Sequence, residues 1–356
     1  MKLIQPLFSG SIDVIGDIHG ELAALNRLID QLGYTDEGEH PEGRRLVFIG
    51  DLVDRGPNSV GVVTWVQKLI QNGVAQCVAG NHEFNILRTN KGQHTSQMRH
   101  GNHWYFGSKE ALDEDNPNYI HPQVQATIQD RAQIHELFLS LPLILEDENY
   151  RMVHACCNDE SYQMLHDYDQ FKVAPTENES ERHILHAYHY FAQDVSQRIA
   201  HIKDKMTQAL TRQNGNPVKL CTSGPEEPAQ QPYYMKGKER ITKRHHWWKS
   251  YTGQHQIIFG HYWRKLPASL GIGVERFTPR REQTAPDPFK ETPYDKWLGR
   301  SMCIDYSVGG RYFDRQQRIE EGHSGKSLCA LRITRIKHEL GQHELWFDTG
   351  QRLTPN

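Results

Sequence analysis

No window of this sequence approaches the roughly 20 consecutive apolar residues that a membrane-spanning helix needs. Hydrophobic residues make up only 37% of the chain. Charge of one sign is also missing: 41 Lys and Arg stand against 44 Asp and Glu, a formal net charge of −3. That balance argues neither for a general nucleic-acid binder nor for a membrane-surface protein. Cysteine is scarce. The six, Cys77, Cys156, Cys157, Cys221, Cys303 and Cys329, show no CxxC spacing, which argues against a zinc finger and fits free thiols in a reducing cytosol. The opening stretch, MKLIQPLFSG, is interrupted by Pro6 and is too short for a signal peptide. These absences leave a polar, loop-rich enzyme or binding protein, expected in the cytoplasm.

What is present begins with alternation. SIDVIG (11–16) is β-rich, ELAALNRLIDQLGY (21–34) repeats its leucines at helical spacing, and RRLVFIG (44–50) is a short apolar run. SVGVVTWVQKLIQNG (59–73) is a second helical stretch, and AQCVAG (75–80) a third strand. The order β-α-β-α-β predicts an α/β fold with a parallel sheet. Further strands are expected at RMVHA (151–155), HQIIFGHYW (255–263), RSMCIDYSVGG (300–310) and KSLCALRIT (326–334), and helices over 125–143 and 182–212. Residues 213–238, rich in Asn, Gly, Pro and Gln, read as a loop or insert. At 356 residues the chain is long enough for a full core. It is expected to be a single domain over 1–356, with inserts near 85–125 and 160–250.

In open α/β sheets, sites gather beyond the carboxyl ends of strands. The first strand ends in GDIHG, with Asp17 and His19; the second in GDLVDRG, with Asp51, Asp54 and Arg55; the third in GNHE, with Asn81, His82 and Glu83. Later strands end in VHA, with His154, and GHYW, with His261. Carboxylate, amide and imidazole donors without thiolate suit borderline divalent ions such as Mn, Fe or Zn.

This ordered set resembles the phosphoprotein-phosphatase branch of the calcineurin-like binuclear metallophosphoesterases, and looks like a bacterial member. The resemblance implies a four-layer αββα sandwich and a phosphoester hydrolase with two divalent metal ions, Mn being the first choice. Asp17 and His19 would hold the first metal, Asp51 would bridge, and Asn81, His154 and His261 would hold the second. His82 would protonate the leaving oxygen, Asp54 would orient His82, and Arg55 would grip the phosphate. The attacking group would be a metal-bridging hydroxide. Glu83 is expected behind the ligands. CIDYSVGGRY and LCALRI look like the family's last strand pair.

Two departures stand out. Eukaryotic members usually carry Arg just before GNHE, where this chain has Ala79; Arg264 and Arg311 are candidates to supply the missing charge, Arg264 as a substrate contact. VHGG is replaced by VHAC.

Other features have plainer readings. Asp13 is expected to point to solvent, and the second GNH, at Asn102 and His103, to be an ordinary turn. Cys156 and Cys157 lack the arginine that a cysteine phosphatase loop requires after a fixed spacer, so packing is expected. The basic, aromatic stretch 237–250 is expected to be a solvated loop with an apolar anchor, or a single-stranded nucleic-acid contact. The substrate stays open between a phosphoprotein or other phosphate monoester and a dinucleoside polyphosphate. A third possibility, of another class, is a metal-containing protein that binds RNA or a partner.

Overall fold

The computed structural model describes residues 2–89, 101–107, 122–172, 184–235, 238–264, 266, 297, 299–316, 325–335 and 341–355. Thirteen strands lie among them: β1 (Ile4–Pro6), β2 (Ile12–Ile15), β3 (Arg45–Phe48), β4 (Ala75–Cys77), β5 (Ile144–Glu146), β6 (Tyr150–Val153), β7 (Glu226–Met235), β8 (Lys238–Arg244), β9 (Gln256–Phe259), β10 (Ser301–Cys303), β11 (Cys329–Thr334), β12 (Gln342–Phe347) and β13 (Arg352–Leu353). The helices are α1 (Leu22–Leu32), α2 (Ser59–Gln71), α3 (Asn81–Thr89), α4 (His103–Phe106), α5 (Ile128–Ser140), α6 (Asp159–Asp167), α7 (Ile184–Ala200), α8 (Lys205–Asn214), α9 (Pro217–Ser223) and α10 (Arg311–Gln316). No helix of the described residues is long and apolar enough to cross a membrane.

The strands form a six-stranded sheet, β13-β12-β11-β2-β3-β4, a five-stranded sheet, β1-β5-β6-β9-β10, and the separate hairpin β7-β8. The expected β-α-β-α-β run is present, with β2, β3 and β4 parallel neighbours. Period-2 alternation explains why the sheets face each other. Ile12, Val14, Val47, Ile49, Met152, Ile258, Met302 and Leu331 point into one apolar cluster shared by both sheets. Their strand neighbours Ile15, Leu46, Phe48, Val153, Ile257, Phe259 and Cys303 turn the other way, into a second cluster with helical residues such as Leu25, Leu28, Val62 and Phe138. The result is the αββα sandwich that the resemblance implies. Each such buried aliphatic or aromatic side chain contributes roughly 1.5–3 kcal/mol.

Four expectations change. The described residues of 213–238 are not a loop. Asn216 caps α9 by accepting from the Val218 backbone N–H, with Pro217 in its first turn, so an Asn-Pro pair that looks like a turn signal is a helix start. The strand β7 follows and pairs with β8, its register shifting between Pro228 and Tyr233. The basic stretch is therefore half strand rather than a loop, and Trp247 and Trp248, buried in the core, form its apolar anchor. The segments around 303 and 330 do not form a strand pair: β10 joins β9 in one sheet, while β11 lies between β12 and β2 in the other.

Asp13, finally, does not face solvent. It is fully buried and accepts hydrogen bonds from Arg44 Nε at 3.1 Å, Arg332 Nε at 2.9 Å and the Tyr34 hydroxyl at 2.8 Å. Alternation places it on the helix-facing side of β2, and two guanidinium groups supply the compensation that burial of a charge requires.

Candidate metal centre

The loops after β2, β3, β4, β6 and β9 converge on Asp51. Its Oδ1 lies 3.3 Å from His154 Nε2, and its Oδ2 lies 3.6 Å from His19 Nε2. The carboxylate therefore turns one oxygen to each side. On the first side Asp17 Oδ2 is 4.0 Å from His19 Nε2. On the second, Asn81 Oδ1 is 2.7 Å from His261 Nδ1 and 3.3 Å from His154 Nε2. Asp51 with His154 and His261, and Asp51 with His19 and His82, each bring their donor atoms within 4.8 Å of one another. All six predicted ligand positions are thus gathered.

Backbone geometry at this convergence is unusual. Every non-glycine residue with positive φ among the described residues lies here or in the turn beside it: His19, Asp51, Asp54, Arg55, His261 and Ser307. Such conformations cost energy and persist where the surroundings impose them, a pattern concentrated at functional sites. Close approach matters as well. A Cβ at Gly260 would collide with Asp17 Oδ1, so glycine there lets the His261 loop close on the first carboxylate.

The donors fit divalent ions on three grounds. First, the tautomers are set. His19 Nδ1 lies 3.0 Å from the Val53 carbonyl oxygen and His154 Nδ1 lies 2.8 Å from that of Ile49, so each Nδ1–H donates to backbone and each Nε2 is the nitrogen turned towards Asp51. Second, burial and the Arg55 guanidinium hold His19 well below the ordinary imidazole range, and burial with Arg244 does the same for His261. Third, Asp17 lacks positive charge. Burial, then repulsion from Asp305 and Asp51, pushes Asp17 well up. Burial opposes a charge on His154, yet Asp51 and Asp17 hold it up at about 10. That proton stands where a cation would bring its charge.

Beside the ligands stands a hydrogen-bonded dyad. His82 Nδ1 is 2.5 Å from Asp54 Oδ2, which leaves His82 Nε2 facing the site, 3.0 Å from Arg55 Nη2. Arg55 Nη1 is 2.6 Å from His19 Nε2. Glu83 does lie behind the ligands. It accepts from the backbone N–H groups of Gly80, Asp51 and Leu52 at 2.8, 2.8 and 2.9 Å, tying two strand ends together. Burial and the nearby Asp51 push it up to about 7.

The second GNH is more than a turn. The Gly101 carbonyl accepts from Arg55 N–H at 3.1 Å, and Trp104 Nε1 donates to Asp54 Oδ1 at 2.7 Å. His103 is buried next to them. The segment holds the acid dyad without supplying a ligand.

Of the arginines proposed to replace the one missing at Ala79, neither faces the donors. Arg264 is buried, with Nη1 donating to the Cys303 carbonyl at 2.8 Å and its guanidinium 5.3 Å from the Tyr306 ring centroid. Arg311 forms a buried pair with Asp348 at 3.1 Å. Sequence pattern does not single out Arg244, which reaches from the end of β8 to donate to the His261 carbonyl at 3.1 Å. It is hidden inside the basic stretch, and only the hairpin brings it here. Nor does the motif series include Asp305, buried after β10 and pushed up to about 6 by burial. Its position just past an apolar strand, like those of Asp17 and Asp51, is the signal that could have found it. Cys156 and Cys157 are fully buried, and burial pushes both thiols up, as packing residues require.

The family model described as calcineurin-like phosphoesterase matches residues 10–262. A protein of Anoxybacillus flavithermus named bis(5'-nucleosyl)-tetraphosphatase PrpE is 36% identical over 148 residues, 40% of this chain and 56% of the relative. One of Bacillus subtilis with the same name is 33% identical over 142 residues, 39% of this chain and 57% of the relative. The chain thus spans little more than half the length of these curated relatives. Among solved structures, a cold-active protein-tyrosine phosphatase of a Shewanella species is similar at 12% identity and a TM-score of 0.44, covering 99% of this chain and 82% of that one.

Proposed function

We propose, from the premise that the chain belongs to the calcineurin-like phosphoesterase family, that it hydrolyses phosphoesters at the Asp51 centre with His82 as the general acid. The observation that carries this reading is the division of Asp51, one oxygen towards His154 and the other towards His19, with the His82–Asp54 dyad alongside. Asp17, His19 and Asp51 would hold one divalent ion; Asp51, Asn81, His154 and His261 would hold the other. Mn(II) is the first choice, with Fe or Zn as alternatives. When bound, such a pair neutralises phosphate charge and makes hydroxide available near neutral pH.

The protein's own groups do the rest. Asp54 accepts from His82 Nδ1–H, so the Nε2 proton of the imidazolium is the one delivered to the leaving oxygen. Arg55 presents two N–H groups beside that imidazole and binds phosphate oxygens. Arg244, next to His261, supplies the second positive charge, the role for which the sequence suggested Arg264. A purely binding protein has no need of the acid dyad, which disfavours the RNA- or partner-binding reading.

The first substrate class is a phosphate monoester, including phosphoprotein. A second reading, cleavage of a dinucleoside polyphosphate, is favoured by the name that the similar bacterial proteins carry. The test is to strip the protein with chelator, restore Mn(II), and measure phosphate release from phosphoseryl and phosphotyrosyl peptides alongside cleavage of diadenosine tetraphosphate. Activity lost with chelator and regained with metal supports the reading, and the faster substrate identifies the class. No turnover of any of the three after metal is restored overturns it.

A further inference from the structure

The donors, the acid and Arg55 account for a phosphate, but not for the group attached to it. Trp263, two residues past His261, stands beside Arg55. Its indole centroid is 5.0 Å from the Arg55 guanidinium carbon, and Arg55 in turn touches His82 at 3.0 Å. A single guanidinium therefore separates the acid from the indole. Phe313 extends the surface, its ring centroid 6.3 Å from that of Trp263 at an interplanar angle of 56°. The turn between them is glycine-only in effect. A Cβ at Gly309 would collide with the His19 ring and approach Arg55 Nη1 to 2.9 Å, and one at Gly310 would collide with the Lys326 side chain while only touching the indole, at 3.5 Å. Both Trp263 and Phe313 are only partly buried, although large aromatic side chains gain most from full burial. A half-open indole and phenyl beside a phosphate-binding arginine form a surface for a flat ring.

We propose that Trp263, flanked by Phe313, is a stacking shelf for an aromatic ring in the group attached to the phosphate, either the nucleobase of a nucleotide or the phenol ring of phosphotyrosine. This rests on the phosphoester reading above and narrows it. Stacking on an indole is tolerant of ring identity, so one shelf suits both sources. The competing explanation is that Trp263 only props Arg55 through a cation–π contact.

Two phosphonates separate these, because neither can be hydrolysed and binding is read without turnover. The metal-loaded protein is titrated calorimetrically with benzylphosphonate and with butylphosphonate, which differ in the ring and not in charge. The shelf predicts tighter binding of the benzyl compound by about tenfold or more. Trp263→Leu should reduce that preference to under about twofold, with Trp263→Phe keeping most of it and Phe313→Leu an intermediate share. Equal affinities in the unaltered protein, or an equal loss for both ligands in Trp263→Leu, overturn the shelf. If the protein hydrolyses nothing, the phosphonate preference still reports on the shelf. If it does turn over substrate, a Trp263→Leu loss in kcat/KM confined to diadenosine tetraphosphate assigns the shelf to a nucleobase. A loss confined to phosphotyrosyl peptide assigns it to phenol, and a loss on neither contradicts it.

Discussion

Trp104 donates its indole N–H to Asp54 Oδ1 at 2.7 Å, across 50 residues of sequence, while the other oxygen of Asp54 lies 2.5 Å from His82. Both oxygens of the carboxylate are thereby committed, and its orientation towards the imidazole is fixed from the short helix α4, which contributes no ligand. Trp104→Phe keeps the ring and removes the donor. The expected result is a fall in kcat of about tenfold, a loss of about 1.4 kcal/mol of transition-state stabilisation, with KM and metal content unchanged. Steady-state kinetics with metal analysis checks this; a lowered melting temperature with normal kcat would reduce Trp104 to packing.

His82 is the acid in this account, so its loss should depend on the leaving group. His82→Asn is expected to retain both metals and to lose about 100-fold or more on alkyl phosphates, in line with general-acid contributions. It should lose far less on p-nitrophenyl phosphate, whose leaving oxygen needs little protonation. A leaving-group series of kcat/KM values checks the assignment, and full activity on a poor leaving group removes His82 from the role.

The Asp13 cluster predicts a stability effect remote from chemistry. Arg44 donates to both Asp13 oxygens and to the Ile12 and Ile333 carbonyls. Arg44→Ala leaves the buried carboxylate short of one partner, at a cost of about 3 kcal/mol or more. Urea unfolding should show this as a shifted midpoint, with kcat retained in the folded protein.

His343 predicts a pH effect. It sits 2.9 Å from the Tyr150 hydroxyl and stacks edge-on against Trp297, and burial takes it down to about 4. Its unfolded value is about 6.5, so between those two pH values the unfolded chain binds more protons than the folded one. Stability contributed by neutral His343 is present above pH of about 6.5 and is lost as pH falls towards about 4. Because the ring is partly exposed, the change is about 1–2 kcal/mol after solvent screening. His343→Gln should flatten the acid side of the stability profile by that amount in denaturation between pH 4 and 7, and an unchanged slope contradicts the assignment.

Much of the site is legible in the sequence itself. Asp17, Asp51, Asn81, His154 and His261 follow apolar strands, and parallel strand ends meet in one crevice, so local pattern suffices to group them. Arg244 is not legible, because its place depends on a hairpin whose Pro- and Gln-containing first strand, 226–235, resembles a loop. Asp13 defies its expected exposure because alternation tells which face a residue takes but not whether a helix covers that face. Trp104 cannot be linked to Asp54 by spacing, since nothing local relates residues so far apart.

The division of Asp51 between two sets of donors is the central claim, and metal content tests it most directly. Elemental analysis of the Mn-restored protein and of Asp51→Asn, alongside phosphate release, is the measurement. Two ions per chain in the unaltered protein, with loss of metal and of activity together in Asp51→Asn, is the predicted result. A variant that keeps two ions and normal turnover would contradict it, because the residue placed between both sites would then be holding neither.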